Sequence, residues 1–297
     1  MADDSALTGP QFVAVGEDGL RAFSQDGREW HHRQTGKEGQ IYSTAAFGNG
    51  RCVLGGRFGG ETIFAATQDG VAWTPSKHDA QYANYVRVVV FFKQRFLGYG
   101  TKFVMPSADG VKWEKEQKIA EYTVQYGLGG TLRRFAVGND LLVAVGDFGR
   151  CSATRDGIDW KNAAGTKAVN TLIDVAYGNG FFVGGGMHGL RMRSADGLEW
   201  TERVVGEEGE HINAMIWDGQ RFVGIGQGAT YVSPDGLKWE RVPNSSAPTA
   251  ATFGGGNYVG SLWPGKMLHS TDGIRWQEVA MFPQHAIALG FGTLGNG

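Results

Sequence analysis

The chain has 297 residues and a formal net charge of −2, with 28 Lys and Arg against 30 Asp and Glu, so it lacks the basic excess a nucleic-acid binder needs to neutralise phosphates. Hydrophobic residues make up 41% and aromatics 12%, enough for a sizeable core and too many for a disordered chain. The longest strongly apolar run, centred on Val88 to Phe92, falls far short of the roughly 20 residues of a membrane helix, so no membrane insertion is expected.

Glycine is the outlier, 48 residues or about twice the usual share of about 7%, with no collagen-like period, which points to a turn-rich β protein. Residues 1–11 read as an N-terminal tail; Met1 to Pro10 carry two aspartates and no apolar core of a secretory signal. Residues 12–297 read as one domain. Cys52 and Cys151 stand 99 residues apart and are expected to be free, buried thiols.

From Phe12 onward a unit of about 40 residues recurs. Its signature, Ser/Thr-x-Asp-Gly-x-x-Trp, occurs seven times, carrying Asp26, Asp69, Asp109, Asp156, Asp196, Asp235 and Asp272 with Trp30, Trp73, Trp113, Trp160, Trp200, Trp239 and Trp276. The aspartates are spaced by 43, 40, 47, 40, 39 and 37 residues. Asp-Gly between short apolar runs predicts a tight primed hairpin, because Gly accepts positive φ at no steric cost. The Asp side chain can cap N–H groups inside that turn. Each Trp is predicted to bury its ring against the adjoining unit.

Upstream of each signature lie two further strands. The first ends in a Gly-rich turn, as in Phe47-Gly48-Asn49-Gly50 and Tyr177-Gly178-Asn179-Gly180; the second runs Phe12 to Gly16, Cys52 to Gly56, Phe96 to Gly100, Leu142 to Gly146 and so on. With the strands before and after Asp-Gly this gives four strands, A to D, per unit, the size of a propeller blade. The chain opens on a B strand and closes on Ala286 to Gly290, an A strand without its B. The ends are complementary. An all-β, seven-bladed β-propeller of four-stranded antiparallel blades is predicted, its ring closed by the C-terminal segment as the inner strand of the first blade, which protects otherwise exposed edges.

On the signature the sequence resembles the Asp-box, or BNR-repeat, propellers, which include sialidases, other glycan-processing enzymes, lectins, sorting receptors and photosystem-assembly factors. The usual box has one more residue between Asp and Gly and a Thr before Trp; both are missing here. The resemblance implies a propeller whose box is structural and lies away from the functional face, and an extracytoplasmic compartment. A sialidase of this type would further need an arginine cluster, a tyrosine nucleophile paired with Glu, and an acid Asp. Arg21, Arg57, Arg133, Arg134, Arg150 and Arg191 stand near suitable strand starts.

If the C–D turns mark one face, the B–C and D–A loops mark the other. The B–C loops share a Gly-rich skeleton and differ in content, as a recognition surface does. The candidate ligand residues are Asp18, Arg57, Phe58, Tyr99, Lys102, Asp147, Phe148, His188, Gln227 and Trp263. Aromatic platforms with planar polar groups suit a glycan or a polypeptide segment. Trp263, in a Leu-Trp-Pro-Gly turn outside the signature, is the sharpest candidate, whereas Trp217 aligns with Phe47, Tyr177 and Phe253 and reads as core. Between blades, Gly36-Lys37-Glu38-Gly39 and Gly206-Glu207-Glu208-Gly209 look alike, and the loop from Glu114 to Thr131 holds Tyr122 and Tyr126. Carboxylate pairs drawn from Glu38, Glu207, Glu208 or Glu210 with Asp147 or Asp174 keep a hydrolase or lyase open. His188, His211 and His285 are placed to approach one another, but without metal-ligand spacing, and adjacent His31 and His32 are expected on opposite strand faces. The reading is a non-catalytic, lectin-like or peptide-binding monomer without metal or cofactor; the alternatives are a glycoside-active enzyme and a protein-assembly scaffold.

Overall fold

A computed structural model describes residues 5–78, 85–119, 130–164 and 170–295. The fold is all-β, a seven-bladed β-propeller of seven sheets, each of four antiparallel strands joined in the order A, B, C, D. The residues fall into two compact units. Met1–Lys118 with Ala250–Gly297 forms the first and holds blades one, two, three and seven; Ile119–Thr249 forms the second and holds blades four to six.

In the first blade, Ala286–Leu294 is strand A, followed by Gly9–Gly16, Arg21–Ser24 and His31–Gln34, so the end of the chain completes its beginning as predicted. Pairing starts at Gly9 rather than Phe12, because the long last strand sets Leu294, Thr293 and Gly292 opposite Gly9, Pro10 and Gln11. B strands such as Phe181–Gly186 are buried from Phe182 onward. They read as continuous apolar runs because both faces are covered: Phe182 packs in the cluster shared with the fourth blade and Val183 in the one shared with the sixth. The cores are clusters between successive blades: Val13, Phe23, Leu54 and Ile63 between the first and second, and Val143, Cys151, Phe182 and Leu190 between the fourth and fifth. Both cysteines are free and buried, and burial pushes both thiols up.

The signature tryptophans wedge these blades. Trp73 stacks on Phe23 at 6.0 Å, Trp113 on Phe64 at 3.8 Å, and Trp30 meets Phe282 edge-on at 5.7 Å, each ring reaching a neighbouring blade. Trp160 is buried, edge-on to Phe135 of its own blade at 5.8 Å. Trp217 lies against Phe222 at 4.7 Å and covers Gly178 of the preceding blade, where it belongs to the core.

The Asp-Gly turn is not the two-residue primed hairpin the sequence suggests. Six residues separate Ser194 from Thr201, and of the Asp-Gly pair only Gly197 takes positive φ, 74°. A side-chain network closes the wider loop. Asp196 Oδ1 accepts the Leu198 and Glu199 N–H groups at 2.9 Å; Ser194 Oγ donates to Asp196 at 3.1 Å and accepts the Gly197 N–H at 2.8 Å. The same four bonds recur in every blade. Burial works to raise most of these carboxyls, but the N–H and hydroxyl donors outweigh it and hold all seven below the usual carboxylate range; at Asp235 the backbone bonds lead. The glycine is fixed twice over, since a Cβ on Gly197 would also sit 2.4 Å from Val143 Cγ2 of the preceding blade.

Candidate functional site

Primed turns do occur, in the B–C loops. Asp18 and Gly19 have φ of 50° and 67°, and the Leu20 N–H closes the turn on the Glu17 carbonyl at 2.9 Å. Phe148-Gly149 and His188-Gly189 repeat it, closed by Arg150 N–H on Asp147 and Leu190 N–H on Met187 at 3.0 and 3.1 Å. A side chain at the first turn position is held in the left-handed region, a cost glycine would avoid. It projects outward, and Phe148 is 43% exposed. The glycine that opens each loop answers a different demand. A Cβ on Gly56, Gly146, Gly186 or Gly226 would sit between 1.9 and 2.1 Å from the carbonyl of the residue that begins or immediately precedes strand A, beside the register shift in the A–B pairing.

In the first unit, the B–C loop of blade one is tied to the following D–A loop: Gly19 N–H to Gln40 O at 2.8 Å, Gly36 N–H to Asp18 O at 2.7 Å, and Gly39 N–H to Asp18 Oδ1 at 2.9 Å. Asp18 is thereby half-buried as a brace. Exposed Arg57 stands 4.9 Å from the Tyr85 ring, with Arg87 5.6 Å from the same ring, and Lys37 lies 5.7 Å over Phe58. Lys102 is exposed on the neighbouring blade. Trp263 is 64% exposed and meets His285 edge-on at 5.5 Å, while Glu17 accepts the His285 N–H at 3.3 Å. Tyr99 must be withdrawn from the surface set. It closes strand Arg95–Tyr99 opposite Val88 and Val104, and its ring is 1% exposed.

In the second unit the same loop frame carries charge. Gly189 N–H donates to Glu210 O and Gly206 N–H to His188 O, both at 2.9 Å, so the two sequence-alike loops occupy equivalent places. Where the Gln40 side-chain oxygen accepts the Lys37 N–H at 3.2 Å, the Glu210 carboxylate accepts from the Glu207 N–H at 2.8 Å, from the Tyr231 hydroxyl, and from Arg241 at 2.6 Å. The Arg191 guanidinium lies 3.7 Å over the Tyr231 ring. Burial works to raise the Glu210 carboxyl, but its donors hold it down, whereas burial and then Glu210 push the Tyr231 phenol up. Glu210, Tyr231 and Arg191 are each at most 3% exposed. They face one another instead of solvent. Sequence spacing gave no means of joining Tyr231 to Glu210, because the contact brings the loop that enters the sixth blade onto strand C of that blade.

The remaining second-unit candidates sit apart. Asp147 pairs with Arg133 and accepts the Thr131 N–H; Phe148 and Gln227 are exposed; His188 is edge-on to His211 at 5.6 Å, its N–H on His211 Nδ1 at 3.3 Å. Of the expected three histidines, His188 and His211 meet in this unit, and His285 packs on Trp263 in the other. Asp174 accepts the Met215 N–H at 2.8 Å, and burial pushes its carboxyl up against the pull of Arg134. The arginines are spent locally: Arg21 on Gln34, Arg150 on the Gly130 carbonyl, Arg191 on Tyr231 and the Val205 carbonyl. Tyr122 and Tyr126 lie outside the described residues.

No family model and no curated protein matches the chain. Solved structures share its fold. YCF48 bound to D1 peptide superposes with a TM-score of 0.61 at 15% identity over 98% of this chain and 93% of that one. YCF48 from Cyanidioschyzon merolae gives 0.60 at 14% over 90% and 92%. Virginiamycin B lyase from Staphylococcus aureus gives 0.59 at 10% over 91% and 94%. At these identities the likeness extends to the propeller alone.

Proposed function

We propose that this protein is a non-catalytic platform that holds a polypeptide segment on the face formed by its B–C and D–A loops. The carrying observation is the Arg57, Tyr85, Arg87 group with Lys37 on Phe58, a basic and aromatic surface on a chain whose net charge is −2. Such a surface suits a segment bearing carboxylates and aromatic rings, through charge-assisted hydrogen bonds and stacking. Loops already hydrogen-bonded to each other limit the ordering cost of binding. That one propeller of this fold is described as bound to a peptide agrees with the reading.

The test is fluorescence anisotropy with a labelled Glu- and Tyr-rich peptide and its Lys-for-Glu counterpart. Binding of the acidic peptide that weakens with salt and disappears in Arg57→Glu/Arg87→Glu is expected; equal binding of both peptides, or binding indifferent to the double substitution, overturns the reading. A second reading, glycan recognition, is favoured by the exposed Trp263 ring beside His285. Glycan-array binding abolished by Trp263→Ala and untouched by the arginine changes would replace the first.

A further inference from the structure

We propose that Trp263 and Glu17 form a site for one lysine side chain of the bound polypeptide, its stem on the indole and its ammonium at the carboxylate, a site that rests on the polypeptide reading. All its parts belong to the first unit. Trp263 stands in the B–C loop of the seventh blade, His285 in the D–A loop that follows, and Glu17 in the B–C loop of the first blade.

His285 holds the pair together. Its ring meets the Trp263 ring edge-on at 5.5 Å, its N–H donates to Glu17 Oε2 at 3.3 Å, and its carbonyl accepts the Glu17 N–H at 3.1 Å. An edge-on neighbour covers at most one face of an indole, and Trp263 is 64% exposed. A face of the ring is therefore open to a ligand.

The charges around the pair select the ligand. Elsewhere on the loop face of this unit, rings hold the chain's own cations, Lys37 over Phe58 and Arg57 with Arg87 by Tyr85. Trp is the ring that attracts a cation best, yet among the described residues no Lys or Arg stands over Trp263 and none pairs with Glu17. The cations at hand are engaged: Lys266, three residues past Trp263, pairs with Glu278 at 2.9 Å, and Arg33 lies 5.9 Å over Phe282. His285 adds no positive charge, because burial pushes its imidazole down against the pull of Glu17. An open indole and an uncompensated carboxylate thus meet at one residue. An ammonium satisfies both, through the ring face and a charge-assisted hydrogen bond, whereas an anionic group would be repelled. Lysine carries that compact charge on a flexible four-carbon stem, whose methylenes lie along apolar surface. With carboxylates at Arg57 and Arg87 and a lysine at Glu17, the segment can lie in one direction only.

The experiment measures anisotropy of the labelled Glu- and Tyr-rich peptide with the full chain, a lysine placed in turn at each position flanking the acidic stretch. Each peptide is compared with its norleucine counterpart, which keeps the stem and removes the charge. At one position lysine should bind about fivefold tighter than norleucine. That advantage should vanish in Trp263→Ala and also in Glu17→Gln, which keeps an acceptor for the His285 N–H. Lysine and norleucine peptides that bind alike at every position, or a lysine advantage that survives either substitution, would overturn the site and leave the polypeptide reading standing. A parent chain that binds none of the peptides would overturn that reading and the site with it. Displacement of the lysine peptide by a neutral methyl glycoside would overturn the site by assigning Trp263 to a glycan.

Discussion

The two kinds of turn at the ends of each blade use the same few residue types to opposite ends. At the C–D turn, Ser or Thr and Asp point inward to the backbone, and the same four hydrogen bonds appear in all seven blades, from Asp26 to Asp272. At the B–C turns of the first, fourth and fifth blades the backbone does the closing through a primed turn, which in the last two leaves the side chains of Phe148 and His188 in solvent. Once the main chain closes a turn unaided, its side chains are available for a partner; where side chains close it, they are not. Asp18 falls between the two, since it sits in a primed turn yet bonds Gly39.

The largest effect that separates these regions is expected at Trp160, whose ring is buried at 7% exposure. Trp160→Ala should cost about 3 to 5 kcal/mol by urea denaturation, with peptide binding intact at temperatures where the variant is folded. Next comes Glu210, a residue of the loop face that behaves as structure. Glu210→Ala leaves the Tyr231 hydroxyl and the Glu207 N–H without their acceptor and should cost about 1 to 3 kcal/mol; a loss of binding without a loss of stability would move this cluster into the functional surface.

Acid provides a third, graded test. All seven turn carboxyls lie below their unfolded range, so each contributes stability that is complete above the ordinary Asp value, about 3.9, and is lost as pH falls through the lower folded values. Melting temperature should therefore decline steeply below about pH 4, and Asp196→Ala should shallow that decline while costing about 1 kcal/mol at neutral pH. The smallest effect is expected at Trp263, 64% exposed. Trp263→Ala should change stability by no more than about 0.5 kcal/mol.

The blades, their count and the closure by the last strand were legible because each rests on local patterning: a fixed period, an apolar B strand, a Trp three residues past Gly. The closing geometry of the Asp-Gly turn was misread, since the Asx network that widens it is chosen by hydrogen bonds the residue letters permit without dictating. Tyr99, at the end of a predicted B strand, reads as part of the B–C loop surface, whereas its pairing to Val88 and Val104 draws it into the core. Tyr85 went unnoticed beside Arg57, and Tyr231 beside Glu210, because each contact brings a D–A loop residue onto a strand, at a distance no period reports. His31 and His32 were separated by strand alternation, but a bulge in strand D, with His32 at φ 49°, sets both against one hollow.

Parallel urea denaturation of two variant sets puts the division of labour to its most direct trial: Asp→Ala at each of the seven C–D turns, and alanine at Arg57, Lys102, Phe148, His188, Gln227 and Trp263. The account predicts a comparable loss of stability throughout the first set and midpoints near the parent throughout the second. Midpoints lowered as far by the loop changes as by the turn changes, or turn variants that hold the parent's midpoint, would contradict it.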